Sequence, residues 1–333
     1  MQSDYRFKTE PKAQIINGLL LMTKNSQGIF CLVTAVALLT ISDSIVKLLS
    51  PSYALHEIML FRALFAMIFV IVIVQLEGGF VILKTRRPGL HFLRGLMLVI
   101  ANMFFFLGLA SLPISETIAL FYSAPLFICL LSQIVLAQRV SFFRWVAIFI
   151  GLVGVLVMLR PGTEIFKMAA LLPIMAAFAY ACMVIMTSKL GIQDKAGTMT
   201  FYIQLAFIIV SSIVGLSVGD GRFYTPDNPT LGFLLRSWTL PNIDDVGLIA
   251  ACGFFVAVGG YLMSQSYRIG QASLMAPFEY SSMPLALLLG YLVWGDWPDQ
   301  YSMMGSMLII SSGIVIVVLE KKSPKGGHLS LLK

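Results

Sequence analysis

An apolar run near the end of the chain contains a glutamate. The segment LMAPFEYSSMPLALLLGYLVWGDWP (274–298) is apolar enough to cross a membrane, yet Glu279 lies between Pro277 and Pro284. A charged side chain at bilayer depth costs about 2.5–3.5 kcal/mol on insertion scales, so it is a functional candidate by default. Prolines also free backbone carbonyls upstream, which are tolerated at depth where protein or a water-lined cavity satisfies them. We expect Glu279 to face a substrate cavity; the alternative is a buried glutamate bonded to a neighbouring helix.

Charged side chains in other apolar runs are the candidates for coupling or gating. Asp43 and Lys47 are four residues apart on one helix face, so they either neutralise each other or form a cavity-facing pair. Arg62 has no acidic residue on its own helix face, so its expected partner is Asp43, Glu116 or a substrate carboxylate. Glu116 begins a helix, where the helix dipole favours a carboxylate for structural reasons alone. A coupling proton would titrate on Glu279 or Asp43.

Uncharged polar side chains within the apolar runs complete the predicted substrate site, although most such residues bond neighbouring helices instead. The chain also has 24 phenylalanines and 18 methionines, and a cavity lined by them would suit a flat, partly apolar ligand. The predicted substrate-binding residues are Glu279, Tyr280, Ser282, Tyr122, Ser123, Asn102, Tyr180 and Gln265.

The composition indicates an integral membrane protein and disfavours several functions. Of 333 residues, 58% are hydrophobic and 12% are charged, against about 25% charged in a soluble domain. The scattered histidines and cysteines give no metal site, and we expect no cofactor. No GxxxxGK[ST] loop supports an ATP-driven pump. Neither a nucleophile paired with a base nor a metal triad is present, so an intramembrane enzyme is the weaker alternative.

Ten apolar runs are long enough to cross a hydrocarbon core of about 30 Å. The preceding N-terminal segment, 1–27, lacks the features of a signal peptide, and a short interfacial helix is expected there. The predicted spans are 28–49, 55–76, 91–111, 114–137, 142–159, 166–188, 199–218, 247–268, 273–294 and 301–319.

The basic residues predict the orientation of these spans. Seventeen Lys and Arg residues fall in the tails and even-numbered loops, against five on the opposite side, which are Lys47, Arg160, Lys167, Arg222 and Arg236. Such an excess is typical of cytoplasmic segments, so both termini should be cytoplasmic in the inner or plasma membrane. The formal net charge of +7 therefore reflects topology and indicates no nucleic-acid partner.

An internal repeat appears when the sequence is shifted by 159 residues. ALFYSAPLFICLL (119–131) then aligns with FEYSSMPLALLLG (278–290), and Pro125 aligns with Pro284. Because each half holds five spans, the second half must enter the membrane from the opposite side. We therefore predict an all-α integral membrane protein with ten transmembrane helices, arranged as two inverted five-helix repeats. The expected divisions are 1–27, a first repeat 28–159, a second repeat 160–319 with a loop at 219–246, and a tail 320–333.

Residues 93–162 contain LPISETIAL followed by AP, then QRV and GLVGV, and 269–299 repeat the pattern. With Arg62 on the second span, these pieces resemble the drug/metabolite transporter superfamily, in particular its EamA-type ten-helix members. The resemblance covers about 28–320. It implies a central cavity lined by helices 1–4 and 6–9, with helices 5 and 10 at the periphery, and relatives that move amino acids, nucleotide-like metabolites, riboflavin or S-adenosylmethionine.

The expected function is secondary transport of a small organic metabolite by alternating access. The two carboxylates Glu279 and Asp43 favour a cationic or zwitterionic substrate, such as an amino acid or S-adenosylmethionine, and export is the expected direction. Import of riboflavin or a nucleotide-like metabolite is the alternative. The expected partners are the substrate, the lipid bilayer, a proton or exchanged solute, and a second copy of the chain in a homodimer.

Overall fold

The computed structural model describes residues 23–111, 114–159, 168–224, 234–295 and 299–322. Every regular element within these ranges is an α-helix or a short 3₁₀ helix, as the composition predicts. The interfacial helix expected before residue 23 and most of the C-terminal tail lie outside the described residues.

The helices follow one another with short connections. The second helix is followed by a 3₁₀ turn at Phe80–Leu83, and Met168–Ala170 form another before the seventh. In chain order the α-helices are α1 (Lys24–Leu49), α2 (Leu55–Glu77), α3 (Pro88–Ser111), α4 (Ile114–Phe121), α5 (Ala124–Val135), α6 (Phe142–Leu159), α7 (Leu171–Leu190), α8 (Ala196–Val218), α9 (Ile243–Ile269), α10 (Ala272–Met275), α11 (Ser282–Trp294) and α12 (Gln300–Lys322).

Membrane crossing is supported by length and apolarity. Among the described residues, α1, α2, α3, α7, α8 and α9 each contain an apolar window long enough for a bilayer core. Shorter apolar helices occur at Ala124–Val135 and Phe142–Val157. Several of the long helices extend beyond the predicted spans; α1, for example, begins four residues earlier, and α9 begins at Ile243 where 247 was predicted.

The fourth and ninth predicted spans are each interrupted. The run 114–137 divides into α4 and α5, and the run 273–294 divides into α10, a 3₁₀ segment at Ala276–Ser281, and α11. Pro125 lies in the first turn of α5, where a missing backbone N–H costs nothing, and Pro284 lies in the first turn of α11. The prolines therefore begin new helices at these points.

The helix pairs are arranged in a matching pattern. The helix α1 packs along α9, and α3 packs along α7. The helix α2 packs along α8, and α6 packs along α12. The bundle thus has one end where α1 turns into α2, here called the α1–α2 end, and an opposite end where α2 connects to α3, the α2–α3 end.

Arg94 opens the third predicted span, where we expect an arginine to anchor the helix at the cytoplasmic membrane surface, but the structure buries it. Its side chain is 0% exposed, because α7 and α8 pack over the first turns of α3. The guanidinium donates to Thr187 Oγ1 at 2.8 Å and to the backbone carbonyl of Met199. Arg94 therefore joins three helices instead of anchoring one of them at the surface.

Candidate substrate cavity

A cavity of about 430 Å³ lies between the helices of the bundle. Four helices present a stripe with the spacing of one helical face, three and four residues apart. The stripes are Leu98, Ala101, Asn102 and Phe105 on α3; Tyr180, Met183, Val184 and Thr187 on α7; Thr200, Ile203, Gln204 and Phe207 on α8; and Val256, Gly260, Met263, Ser264 and Tyr267 on α9.

Three more elements complete the wall. Leu39 and Asp43 come from α1, and Arg62 comes from α2. Ile118, Phe121 and Tyr122 come from α4 and the break that follows it. The cavity is therefore lined by the first four predicted spans and by the sixth to eighth, while α6 and α12 pack together outside it.

Aromatic rings dominate the apolar part of the wall. Phe105 and Phe121 meet edge to face with their centroids 5.1 Å apart, and Phe121 lies 5.9 Å from Tyr180. Phe207 and Tyr267 add rings from α8 and α9. Such a wall can stack on a flat ligand or face a cation with its π electrons.

Opposite charges line the cavity toward the α1–α2 end. Asp43 lies in the last turns of α1 and Arg62 in the first turns of α2, and the two attract each other electrostatically. The Arg62 guanidinium lies over the Phe207 ring, 5.9 Å from its centroid. A carboxylate and a guanidinium in one small cavity can bind the two charged groups of a zwitterion.

Glu279 does not line the cavity but lies directly behind its wall. The side chain is 8% exposed, and its Oε1 accepts hydrogen bonds from Tyr180 Oη at 3.0 Å and from Tyr267 Oη. Both tyrosines line the cavity. Among the described residues, Oε2 of Glu279 has no hydrogen-bond partner. The carboxylate is therefore linked to the cavity through two tyrosine hydroxyl groups, and its Oε2 can accept a proton.

The two interrupted spans contact each other. Tyr122 Oη lies 2.5 Å from Ser282 Oγ, and Tyr280 Oη donates to the backbone carbonyl of Tyr122 at 3.2 Å. Ser282 Oγ donates to the carbonyl of Glu279 at 2.9 Å, so Tyr122 is the donor in the first pair. Tyr122 lines the cavity, whereas Tyr280 is fully buried.

The remaining predicted residues lie elsewhere. Ser123 Oγ donates to the carbonyl of Leu120 within the first break. Gln265 accepts from Arg268 at 3.1 Å near the α2–α3 end, and Lys47 is exposed in the last turn of α1. The side chain of Glu116 is outside the described part of the structure. Their proposed roles in binding or gating stay predictions.

Several cavity residues were not among the predicted site. The hydroxyls of Thr187 and Thr200, the amide of Gln204, and the hydroxyls of Ser264 and Tyr267 all belong to lining side chains. The available signal on α8 was a pair of polar residues on one helical face, since Thr200 and Gln204 are four residues apart. Sequence alone does not say which face of an evenly apolar helix meets a cavity.

Polar contacts join the helices at both ends of the bundle. At the α1–α2 end, Tyr53 Oη donates to Asp245 Oδ2 at 2.6 Å. At the α2–α3 end, His91 Nε2 lies 3.1 Å from Asp194 Oδ2. Each contact connects the α1–α3 part of the chain with the part that follows α6. These contacts therefore join the two parts of the chain at both ends of the bundle.

A family model agrees with this architecture. Residues 26–160 match the EamA-like transporter family. A riboflavin transporter of Vibrio cholerae is 29% identical over 90% of this chain and 95% of its own length. The chain belongs to the drug/metabolite transporter superfamily. The resemblance found in the sequence is confirmed, and this member of the superfamily is a multi-pass membrane protein.

Other relatives carry different substrates. An S-adenosylmethionine uptake transporter of Rickettsia prowazekii is 28% identical over 87% of this chain and 92% of its own length. The pseudopaline exporter of Pseudomonas aeruginosa is 21% identical over 87% and 95%. A solved crystal structure shares the fold with a TM-score of 0.72 at 17% identity, covering 89% of this chain and 98% of the other.

Proposed function

We propose that this transporter brings a zwitterionic or cationic metabolite with a flat heterocycle, S-adenosylmethionine or a close analogue, into the cell. The observation that carries the proposal is the opposed pair Asp43 and Arg62 in one aromatic cavity. The substrate carboxylate would pair with Arg62, and the ammonium or sulfonium would face Asp43. The heterocycle would stack on the rings of the wall.

The direction of transport is part of the proposal. The Rickettsia relatives are uptake transporters, and their matches extend over most of this chain. We therefore propose uptake in place of the export that the sequence led us to expect. A flavin is the competing substrate, since a relative carries riboflavin. A neutral isoalloxazine ring would use the aromatic wall but has little need of the Asp43 and Arg62 charges.

The alternating-access mechanism rests on the proposed inverted repeat. A shift of 159 residues aligns α3 with α9 and α6 with α12. By the order of helices within each half, the packed pair α1 and α9 is then the counterpart of the packed pair α7 and α3. Both breaks also fall at the same place in this alignment. The two halves would rock about the cavity and open its ends in turn. With both termini in the cytoplasm, the α2–α3 end would face inward.

Glu279 is the proposed proton site. Its unpaired oxygen and its bonds to Tyr180 and Tyr267 would let substrate in the cavity change the carboxylate's surroundings. An exchanged solute is the other coupling partner to test. The homodimer stays a prediction.

The charged pair is tested by measuring uptake into proteoliposomes of radiolabelled S-adenosylmethionine added to the external medium. Asp43→Asn and Arg62→Gln should each reduce uptake at least tenfold, because each leaves one substrate charge without its partner at depth. Asp220→Asn is the matched control, since Asp220 is exposed and pairs with Arg222 at 2.7 Å outside the cavity. Uptake of riboflavin in place of S-adenosylmethionine, undiminished in both variants, would establish the flavin alternative.

A further inference from the structure

Gln204 on α8 is a buried amide with no hydrogen-bond partner in the part of the chain that the structure describes. It lines the cavity, yet its side chain is only 2% exposed. None of the described residues forms a hydrogen bond with the amide. A carboxamide has two N–H donors and an acceptor oxygen with two lone pairs, so its full capacity is directed at the contents of the cavity.

Two threonines of the wall are satisfied by the protein, unlike Gln204. Thr200 Oγ1 donates to the carbonyl of Ala196 at 2.9 Å, one turn away on the same helix. Thr187 Oγ1 accepts from Arg94 and donates to the carbonyl of Met183 at 2.9 Å. Buried polar groups are nearly always paired, and an unpaired one costs free energy. The exception therefore indicates a ligand that supplies the missing partners.

The position of Gln204 separates two kinds of recognition along the cavity. Phe207, whose ring lies under the Arg62 guanidinium, is one helical turn nearer to the α1–α2 end. On the adjacent helix α9, Gly260 leaves that part of the wall without a side chain. Gln204 thus lies beyond the charged pair, on a wall with room for a flat ring.

We infer that Gln204 determines substrate specificity by hydrogen bonding to one edge of the substrate heterocycle. The substrates selected in this way are heterocycles with a donor beside an acceptor on that edge. Adenine has such an edge, with an amino group next to a ring nitrogen, and a carboxamide can bind both atoms at once. The inference rests on the proposed function in taking this cavity as the substrate site. It adds the chemical class of the neutral part of the substrate.

The test compares variants of the full-length purified protein at one position. Gln204→Met keeps the length of the side chain but removes donor and acceptor, and Gln204→Glu keeps the acceptors but removes the donors. Ser217→Ala is the control, because Ser217 is exposed on the same helix and bonds only to the carbonyl of Ile213. Binding of S-adenosylmethionine, adenosine, riboflavin and S-methylmethionine is measured by thermal stabilisation and by inhibition of uptake.

Gln204→Met and Gln204→Glu should weaken binding of the adenine compounds by roughly 10- to 100-fold, the usual cost of a lost bidentate contact. S-methylmethionine, which has the charges without the ring, should bind the wild type and Gln204→Met alike. Equal binding of adenine compounds to the wild type and both variants would overturn the inference. Neither substitution removes a bond within the protein, so both should fold, and the melting temperature without ligand checks this.

The inference and the proposed function can fail separately. One outcome is that the wild type does not transport S-adenosylmethionine, while adenosine or riboflavin stabilises the wild type but not the Gln204 variants. The proposed substrate is then wrong, and recognition of the heterocycle edge by Gln204 stands. If S-adenosylmethionine is transported equally by Gln204→Met, the proposed function stands and the inference is wrong. If no heterocyclic compound stabilises the wild type, both are wrong.

Discussion

The two interrupted spans solve the same backbone problem with different side chains. In the first, Ser123 Oγ donates to the carbonyl of Leu120 at 2.7 Å, and in the second Ser282 Oγ donates to that of Glu279 at 2.9 Å. Both bonds span three residues, and they lie 159 residues apart in the chain. Each hydroxyl satisfies a carbonyl near the proline break, where the regular helical pattern stops.

The side chains at the matching positions differ sharply. Leu120 occupies the place of Glu279, so only the second break has a carboxylate there. That carboxylate receives two tyrosine hydroxyls from α7 and α9, helices of the second half. The two breaks therefore share a serine-to-carbonyl hydrogen bond, whereas only the second has a titratable group. In the proposed alternating-access mechanism, a titratable group at one break alone would make the two orientations respond differently to protons.

The largest expected effect comes from removing the charge that distinguishes the two breaks. Glu279→Gln keeps an oxygen that accepts from Tyr180 and Tyr267, so the variant should fold. Accumulation of substrate driven by a pH gradient should fall at least tenfold, while exchange of internal for external substrate continues, because the gradient no longer has a site to protonate. Proteoliposomes with an imposed gradient measure the first process, and counterflow measures the second.

The control for this experiment is the exposed carboxylate variant Asp220→Asn, which should respond to the gradient as the wild type does. A Glu279→Gln protein that still accumulates substrate with the same pH profile would return Glu279 to a structural role.

The second-largest effect concerns the stability lost when a tyrosine hydroxyl is removed at each break. Tyr267→Phe removes a donor to a carboxylate, a bond of about 1.5–3 kcal/mol when the acceptor is charged, whereas Tyr122→Phe removes a bond to the Ser282 hydroxyl of about 0.5–1.5 kcal/mol. The apparent melting temperature in detergent should therefore fall further for Tyr267→Phe. In the Glu279→Gln background this difference should shrink. An equal loss from both substitutions in the wild type would mean that Glu279 is held in its neutral form.

Two glycines at matching positions provide a packing test of similar size. A methyl group at Gly154 on α6 would lie 2.8 Å from the Gly305 carbonyl of α12, whereas at Gly313 the nearest atom, in Phe278, is at 3.4 Å. Gly154→Ala should cost about 1–3 kcal/mol through overpacking, because backbone cannot move aside. Gly313→Ala should be neutral or slightly stabilising, as expected when alanine replaces a helical glycine. Melting temperatures that rank these two variants in the opposite order would refute the packing of α6 against α12.

The smallest difference concerns the two serines. Ser123→Ala removes one hydrogen bond, and Ser282→Ala removes a bond to the Glu279 carbonyl together with the acceptor of Tyr122. We expect losses of about 0.5–1.5 kcal/mol for the first and up to twice that for the second. Thermal unfolding of the two single variants and of Ser282→Ala with Tyr122→Phe measures the shared part. Additive losses in that double variant would contradict the bond between Tyr122 and Ser282.

Much of the fold could be predicted because bilayers impose simple rules. Apolar length located the long helices to within a few residues, and the prolines marked where the fourth and ninth spans change character. The interruption itself was not predicted, because an apolar run reads as one span whether or not its backbone is continuous. Arg94 was misplaced for a related reason. Its position in the chain indicated a helix end, and only the packing of α7 and α8 shows that this end is covered.

The candidate site was less predictable, since charge is visible in a sequence and orientation is not. Asp43 and Arg62 stood out as charges in apolar runs, and both line the cavity. Glu279 stood out in the same way but lies behind Tyr180 and Tyr267. Gln204 resembled any polar residue that joins two helices, and only the absence of a partner among the described residues distinguishes it.

The sequence by itself determined which segments are apolar enough to enter the membrane, which of them carry charge, and where prolines fall within them. These properties follow from local composition, because the transfer of a residue into the bilayer and the effect of a proline on a helix do not depend on tertiary contacts. The tertiary structure decided that two tyrosines from different helices donate to the Glu279 carboxylate. It also decided that the Gln204 amide, in the cavity wall, has no hydrogen-bond partner among the described residues. Hydrogen bonds at depth join residues far apart in the chain, so the packing of the helices chooses the partners.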